Sequence, residues 1–248
     1  NFLVLIKYII FEGIKFRNFE NLNFSNIIKK KGLFVFPSGP GLSTLYQDAE
    51  YYKSLKNADY VFLDSGYFVI LLKIFKLISV NKFSGYLFIE KLIQHLKINS
   101  NIRIFSIDPN KLLSLSNRKF LIKCGLKRKN IFNYVAPNYK SKSIKDSKVL
   151  KLIKSKKPEI VLINLGGGTQ EILGMYLNKS LKKKIRIFCT GAAISFFTGD
   201  QAPISRFVDK IFLGWLVRII YNPKIFFIRY FNSFKLFFLV LKSNIKIN

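Results

Sequence analysis

Four short loops hold the glycines and polar side chains best suited to chemistry. Each follows an apolar run: 37–41 (PSGPG), 64–66 (DSG), 166–171 (GGGTQE) and 191–193 (GAA). Glycines let a backbone approach a ligand closely, and a helix that follows offers free N–H groups to an anion. Four such loops predict a nucleotide or phosphate site, although a single glycine-rich turn also forms for packing alone. The candidate substrate-binding residues in these loops are Ser38, Gly39, Gly41, Gly166, Gly167, Gln170, Glu171 and Gly191.

Asp64 is the candidate catalytic base. It ends an apolar run, and a carboxylate among desolvating neighbours has a raised pKa and becomes a stronger base. An Asp at this position also commonly caps the helix that follows, so both roles are open. Glu171 has the same two interpretations. Few other side chains could serve as an acid or base catalyst, because the chain has only 13 Asp and Glu residues.

Composition excludes several kinds of site. One His and two Cys cannot supply a four-ligand zinc site or a disulfide framework, and we expect Cys124 and Cys189 to be reduced and buried. No Gly-Lys-Ser/Thr follows a glycine loop, and no GxGxxG precedes an acid at the spacing that dinucleotide binding requires. No Asp-x-Asp occurs to hold a divalent metal on a nucleotide-sugar diphosphate. We therefore predict neither a metal nor a cofactor.

Short apolar runs alternate with amphipathic stretches, which predicts a Rossmann-like α/β fold, a mostly parallel sheet with helices on both faces. The ligand site of such a sheet lies at the carboxyl ends of its strands, where the four loops fall. The predicted strands are Leu33 to Phe36, Tyr60 to Leu63, Arg103 to Ile107, Ile131 to Val135, Ile160 to Leu165 and Arg186 to Cys189. The predicted helices are Leu42 to Leu55, Phe68 to Leu77, Gly85 to Leu96, Asn110 to Cys124, Lys145 to Ser155 and Glu171 to Asn178.

Both ends of the chain and one internal loop differ from this pattern. Residues 1–16 are apolar but interrupted by Lys7 and Glu12, so we predict no targeting peptide there. Residues 138–148 are predicted to form an exposed basic loop leading into a helix. No stretch is apolar and uncharged over the 18 or so residues that a membrane span needs, which argues against a conventional integral protein. We place the α/β domain at residues 1–205 and a basic, aromatic-rich helical appendage at 206–248.

The positive charge has two components. The formal net charge is +29, but Lys accompanies abundant Asn, Ile, Phe and Tyr, so part of the excess reflects AT-rich codons on solvated faces. The remainder indicates an anionic partner. No acid follows Asp209, and basic residues recur among aromatic and aliphatic ones, which is typical of helices lying on an anionic membrane. Packing against the domain and a nucleic-acid arm are the alternatives for this appendage.

Several stretches resemble the WecG/TagA/CpsF family of bacterial glycosyltransferases, glycosyltransferase family 26. They occur in the family's order over roughly Leu33 to Tyr230. The matching stretches are Asn57 to Gly66, Lys82 to Gly85, Gly166 to Glu171, Gly191 to Pro203, Gly214 to Arg218, Asn222-Pro223 and Arg229-Tyr230.

The resemblance implies a metal-independent, inverting transfer. The sugar, of the N-acetylmannosamine type or related, would pass from a UDP-sugar to a polyprenyl-diphosphate-linked acceptor in cell-surface polysaccharide biosynthesis. Asp64 corresponds to the catalytic base, Gln170 and Glu171 to the pair near the nucleotide-sugar, and Arg218 and Arg229 to arginines suited to diphosphates. The expected partners are both substrates and an anionic membrane surface, with no nucleic acid and with self-association left open. The expected location is peripheral, on the cytoplasmic face of the bacterial inner membrane.

The sequence also departs from the family pattern. Ser38 stands at the family's Asn, and Lys82, a further candidate substrate-binding residue, stands at its Arg. Leu87 and Ser195 stand at two of the family's Asp positions. Gly214 replaces the acid before Trp215. These departures leave an alternative function, a non-catalytic membrane-associated paralogue that binds nucleotide-sugar or lipid-diphosphate without turnover.

Overall fold

The computed structural model describes residues 6–19, 24–139 and 143–248. Within them, nine strands form one sheet in the order β6-β5-β7-β8-β3-β4-β2-β1-β9. The strands are β1 Tyr8–Phe11, β2 Ile14–Arg17, β3 Gly32–Val35, β4 Tyr60–Phe62, β5 Ile104–Asp108, β6 Ile131–Val135, β7 Ile160–Ile163, β8 Arg186–Cys189 and β9 Lys246–Ile247. The pairings from β6 through to β2 are parallel, and β1 pairs antiparallel with both β2 and β9. The predicted α/β fold, with its mostly parallel sheet, is confirmed.

Helices cover both faces of the sheet. They are α1 Phe24–Lys29, α2 Gly39–Ser43, α3 Ala49–Lys56, α4 Gly66–Phe75, α5 Gly85–Ile98, α6 Lys111–Lys123, α7 Ser147–Lys156, α8 Thr169–Ser180, α9 Ser195–Thr198, α10 Arg206–Lys210, α11 Gly214–Tyr221, α12 Pro223–Asn232 and α13 Lys235–Lys242. Alternate residues of the central strands point into two apolar cores. Leu33 and Val35 of β3 face one core, whereas Phe34 faces the other. Every residue of β3 and β7 is buried, as continuous apolar runs predict.

The N-terminal hairpin is a strand pair that the sequence patterns did not reveal. Tyr8–Phe11 and Ile14–Arg17 are joined by Glu12 and Gly13, both with positive φ (50° and 71°). This backbone is the one that tight hairpins prefer, but Glu at the first position gives a weaker turn signal than Asn or Asp. The short strand β9 was missed as well, and it adds to the outer edge of this hairpin.

Other predicted boundaries need correction. The helix predicted from Leu42 to Leu55 is two helices, α2 and α3, because Asp48 caps α3 by accepting the N–H groups of Glu50 and Tyr51. Strand β7 ends at Ile163 instead of Leu165. In the predicted loop at 138–148, residues 140–142 lie outside the described residues, and the loop leads into α7 as expected.

The last residues of the chain contact the α/β domain through α13 and β9. Helix α13 buries Leu236 and Val240 in one of the two cores, against α2 and α4, and β9 joins the sheet. Between α10 and α13 lie α11 and α12, in which Phe226 alone is buried among the described side chains. The boundary at 205/206 falls in the connection between α9 and α10 and stays a prediction. Among the described residues, no helix has the length and apolar character required to cross a bilayer.

Candidate active site

A cavity of about 1080 Å³ lies at the carboxyl edge of four adjacent strands, β7, β8, β3 and β4. The four predicted loops form its floor and walls, and α11 and α12 cover it. The predicted site residues that line it are Ser38, Gly39, Asp64, Gly166, Gly167, Gln170, Glu171, Gly191, Arg218 and Arg229. Gly41 and Lys82 lie outside this lining. Gly41 packs instead over the Tyr51 side chain, whose hydroxyl lies 2.5 Å from the place that a Cβ on Gly41 would take.

The Asp64 carboxylate is part of the cavity wall. Its Oδ1 accepts the backbone N–H of Gly85, the first residue of α5, at 2.8 Å. The cap of α4 is Ser65, whose hydroxyl accepts the N–H of Phe68, so Asp64 does not cap the helix that follows it. Burial raises the pKa of Asp64 to about 6, against the opposing effects of the Gly85 hydrogen bond and the Lys82 charge. A carboxylate with this pKa is largely ionised at neutral pH and is a stronger base than an ordinary Asp.

Gln170 and Glu171 link two of the glycine loops. The Glu171 carboxylate accepts the Gly168 N–H at 2.7 Å and the Gln170 side-chain N–H at 2.9 Å. Gln170 in turn accepts the N–H of Gly191 at 2.7 Å. The helix-capping interpretation of Glu171 is therefore realised in the first turn of α8. Burial raises the pKa of Glu171 to about 7, against the hydrogen bonds that favour its ionised form.

Two arginines reach the cavity from the covering helices. The Arg218 guanidinium of α11 lies 4.7 Å from the centre of the Phe196 ring and donates to the Tyr230 hydroxyl at 3.3 Å. Its Nε is buried without a hydrogen-bond partner. Arg229 of α12 places its Nη2 4.0 Å from the position that a Cβ on Gly167 would take. None of the ion pairs in the described part of the chain uses either arginine, so both can bind an anionic ligand.

The structure adds cavity residues that the sequence patterns did not single out. Asp209 lies in the wall, and one of its carboxylate oxygens lies 2.7 Å from the Lys82 ammonium group. Thr190 and Asn164 also line the cavity, and the Thr190 hydroxyl and the Asn164 side-chain oxygen are buried without a hydrogen-bond partner. Both follow the ends of strands, so the position of each at the sheet edge was the available signal. Among the described residues, no three His, Cys, Asp or Glu side chains cluster as metal ligands would.

One known protein family matches the sheet, the cavity and the covering helices together. The model of the glycosyl transferase WecG/TagA/CpsF family matches residues 10–248, from the N-terminal hairpin through the covering helices. The chain belongs to the WecG/TagA/CpsF family. It is therefore a glycosyltransferase, of a class that acts in cell-surface polysaccharide biosynthesis on a nucleotide-sugar donor and a lipid-linked acceptor. A search of curated proteins gave no significant match.

Proposed function

We propose that this WecG/TagA/CpsF glycosyltransferase moves a sugar of the N-acetylmannosamine type, or a related one, from a UDP-sugar to a polyprenyl-diphosphate-linked acceptor. The observation that carries the proposal is the position of Asp64. Its half-buried carboxylate lies in the wall of the large cavity, with a pKa of about 6, and two guanidinium groups from α11 and α12 line the same cavity. A base and anion-binding groups in one cavity suit a donor and an acceptor that both carry diphosphate.

In the proposed reaction, Asp64 removes the proton of the acceptor hydroxyl as that oxygen attacks the anomeric carbon. The new C–O bond forms on the face opposite the bond to UDP, so the configuration inverts and UDP leaves with the electron pair of the broken bond. Of the other carboxylates that line the cavity, Glu171 is engaged with Gly168 and Gln170, Asp209 is paired with Lys82, and Asp200 is exposed. Asp64 is therefore the better placed base. Arg218 and Arg229 bind diphosphate oxygens and stabilise the charge that develops on the leaving group.

The donor's nucleotide end has a separate set of groups. Gly166 and Gly167 expose backbone before the first turn of α8, and Ser38 and the buried Gly39 line the cavity where α2 begins. Gln170 holds the Gly191 loop against them through its 2.7 Å hydrogen bond. We assign these loops to binding of the nucleotide-sugar. We assign the side of the cavity lined by Arg218 and Arg229 to binding of the donor and acceptor diphosphates. Lys82 is assigned to neither substrate, because its ammonium group is already paired with Asp209.

The covering helices suit an anionic membrane surface, where a polyprenyl acceptor would reside. Ile220, Ile228 and Phe231 are 73%, 65% and 72% exposed, and no acid occurs after Asp209 to repel anionic headgroups. Apolar side chains inserted between headgroups, with Lys and Arg around them, are the usual basis of interfacial binding. We propose that α11 and α12 contact the membrane and bring the acceptor diphosphate to the cavity.

The test is mass spectrometry of products from a panel of UDP-sugars offered with short-chain prenyl-diphosphate glycans. We expect one donor to add its sugar mass to the acceptor and to release UDP. Binding of UDP without any product would favour the non-catalytic alternative. Retention of the donor's anomeric configuration, determined by NMR of the purified product, would contradict direct displacement. Oligonucleotide binding stronger than binding to anionic vesicles, with a steep salt dependence, would instead support a nucleic-acid partner.

A further inference from the structure

The start of the covering segment is held to the domain by a largely buried ion pair. The Lys82 ammonium group lies 2.7 Å from Oδ1 of Asp209 and donates to the Asp209 backbone carbonyl at 2.6 Å. The hydroxyl of Ser84 donates to the other Asp209 oxygen at 2.9 Å. The side chains of Lys82 and Asp209 are only 9% and 17% exposed. Both oxygens of the carboxylate and the adjoining carbonyl are thus bound from the short segment that leads into α5.

A second close contact supports this ion pair. Phe212, three residues after Asp209, lies against Gly66 at the start of α4, where a Cβ on Gly66 would be only 2.8 Å from the Phe212 Cβ. The Lys82 ammonium lies 5.3 Å from the centre of the Phe212 ring. Phe212 has a φ of 65°, a backbone conformation that residues other than glycine seldom adopt. Neighbouring contacts therefore hold this turn in a conformation that an isolated segment would rarely populate.

The segment between this turn and α13 contacts α2 through α12 but buries little of its own surface. Helices α11 and α12 bury Phe226 alone among their described side chains, whereas α13 buries Leu236 and Val240 completely. The covering helices are thus fixed at their far end by α13 and at their near end by Lys82, Ser84 and Asp209. Arg218 and Arg229, the two arginines that line the cavity, lie between these two attachments.

We propose that Lys82, Ser84 and Asp209 form a clamp that positions the covering helices, and with them Arg218 and Arg229, over the cavity. Lys82 is then a positioning residue, which acts on the substrate through Asp209 and not by contact. The role of the two arginines rests on the proposed function, but the clamp itself can be measured without any substrate. A result that contradicts the clamp therefore leaves the proposed reaction untouched, and a result that contradicts the reaction leaves the clamp untouched.

The only tryptophan in the chain provides the measurement. Trp215 lies in α11, six residues after Asp209, and is 40% exposed. We would measure acrylamide quenching of its fluorescence in the full chain, for the wild type and for Lys82→Met, Asp209→Asn, the double variant and Lys82→Arg. Lys53→Met is the matched control, since it removes a lysine from the exposed pair with Glu50 on α3.

We expect Lys82→Met and Asp209→Asn to raise the quenching constant, by at most about 2.5-fold as Trp215 goes from 40% to full exposure. The quenching constant of the double variant should equal that of either single variant, because the two residues act as one pair. Lys82→Arg should keep most of the wild-type protection from quenching. Wild-type quenching in Lys82→Met, or equal quenching in Lys82→Arg and Lys82→Met, would overturn the clamp. The far-UV circular dichroism of each variant, compared with that of Lys53→Met, separates release of the helices from loss of the fold.

A kinetic measurement distinguishes positioning from direct contact. If Lys82 acts through Asp209, Asp209→Asn should raise the KM for donor or acceptor as Lys82→Met does, and the two changes should not add. If Lys82 instead contacts the substrate, Lys82→Met should raise KM while quenching stays at the wild-type value and Asp209→Asn has little effect. That second pattern would refute the proposal even in an active enzyme.

Discussion

Replacing Asp64 by Asn should stabilise the protein at neutral pH while removing the proposed base. Burial raises the pKa of Asp64 from 3.8 to about 6, so the folded state disfavours its ionised form. At about 1.36 kcal/mol per pH unit, the ionised carboxylate costs about 3 kcal/mol of folding free energy. Asn retains a side-chain oxygen that can accept the Gly85 N–H, and it carries no charge to desolvate. This conflict between stability and activity is expected where a polar group is buried for chemistry.

The size of this stabilisation depends on pH. For a carboxyl group whose pKa is raised by folding, the penalty is complete above about pH 6, decreases as pH falls through that value, and vanishes below the unfolded value of 3.8. The stability gain of Asp64→Asn should therefore be about 3 kcal/mol at pH 7.5 and close to zero at pH 3.5. For a chain of this length, the gain at pH 7.5 corresponds to a rise of about 6 to 12 °C in Tm.

The assay is thermal or urea unfolding of both proteins across this pH range. Asp59→Asn is the matched control with the opposite sign. Burial acts to raise the pKa of Asp59, but hydrogen bonds from Lys183, the Leu33 N–H and Asn178 lower it overall. Asp59→Asn should thus destabilise the protein at neutral pH. Equal or lower stability of Asp64→Asn at pH 7.5, or a gain that does not change with pH, would refute the buried-base interpretation.

Three further predictions concern activity and binding. The kcat/KM for transfer should decline below about pH 6 and fall to about one-tenth at pH 5, as a pH profile would measure; an unchanged rate at pH 5 would argue against Asp64 as the base. Gly66→Ala should displace Phe212, 2.8 Å from the new Cβ, and with it the helices that carry Arg218 and Arg229, so that initial-rate kinetics should show a lower kcat/KM; an unchanged kcat/KM would contradict this. Ile228→Glu, at an exposed residue of α12 outside the cavity lining, should weaken sedimentation with anionic vesicles while leaving UDP binding, measured calorimetrically, unchanged.

The central sheet and the site loops could be predicted because their signals are local. Strands such as Ile160–Ile163 are continuous apolar runs, and the loops after parallel strands must meet at one edge. The break at Asp48 was missed because a capping Asp inside a long amphipathic stretch resembles one more polar position. The hairpin around Glu12 was missed because its turn lacks the usual residue types.

The partners of the covering helices could not be predicted, because their contacts are distant in sequence. Lys82 and Asp209 are separated by 127 positions, and neither residue is unusual in its local pattern. A lysine beside a glycine loop is expected to bind an anionic substrate, and only the folded chain places a carboxylate 2.7 Å away. The same holds for Asp64, whose local position suits a helix cap equally well. Its bond to Gly85, 21 residues on, and the capping of α4 by Ser65 rule out the helix cap, and its burial supports the proposed base.

The most direct test of the proposed chemistry compares sugar transfer by the wild type and by Asp64→Asn at pH 7.5, with UDP affinity measured on the same samples. We expect the wild type to form the lipid-linked product with inverted configuration. Asp64→Asn should lose activity by about 100-fold or more, as removal of a general base typically does, and still bind UDP like the wild type. Full activity in Asp64→Asn would contradict the assignment of Asp64 as the base.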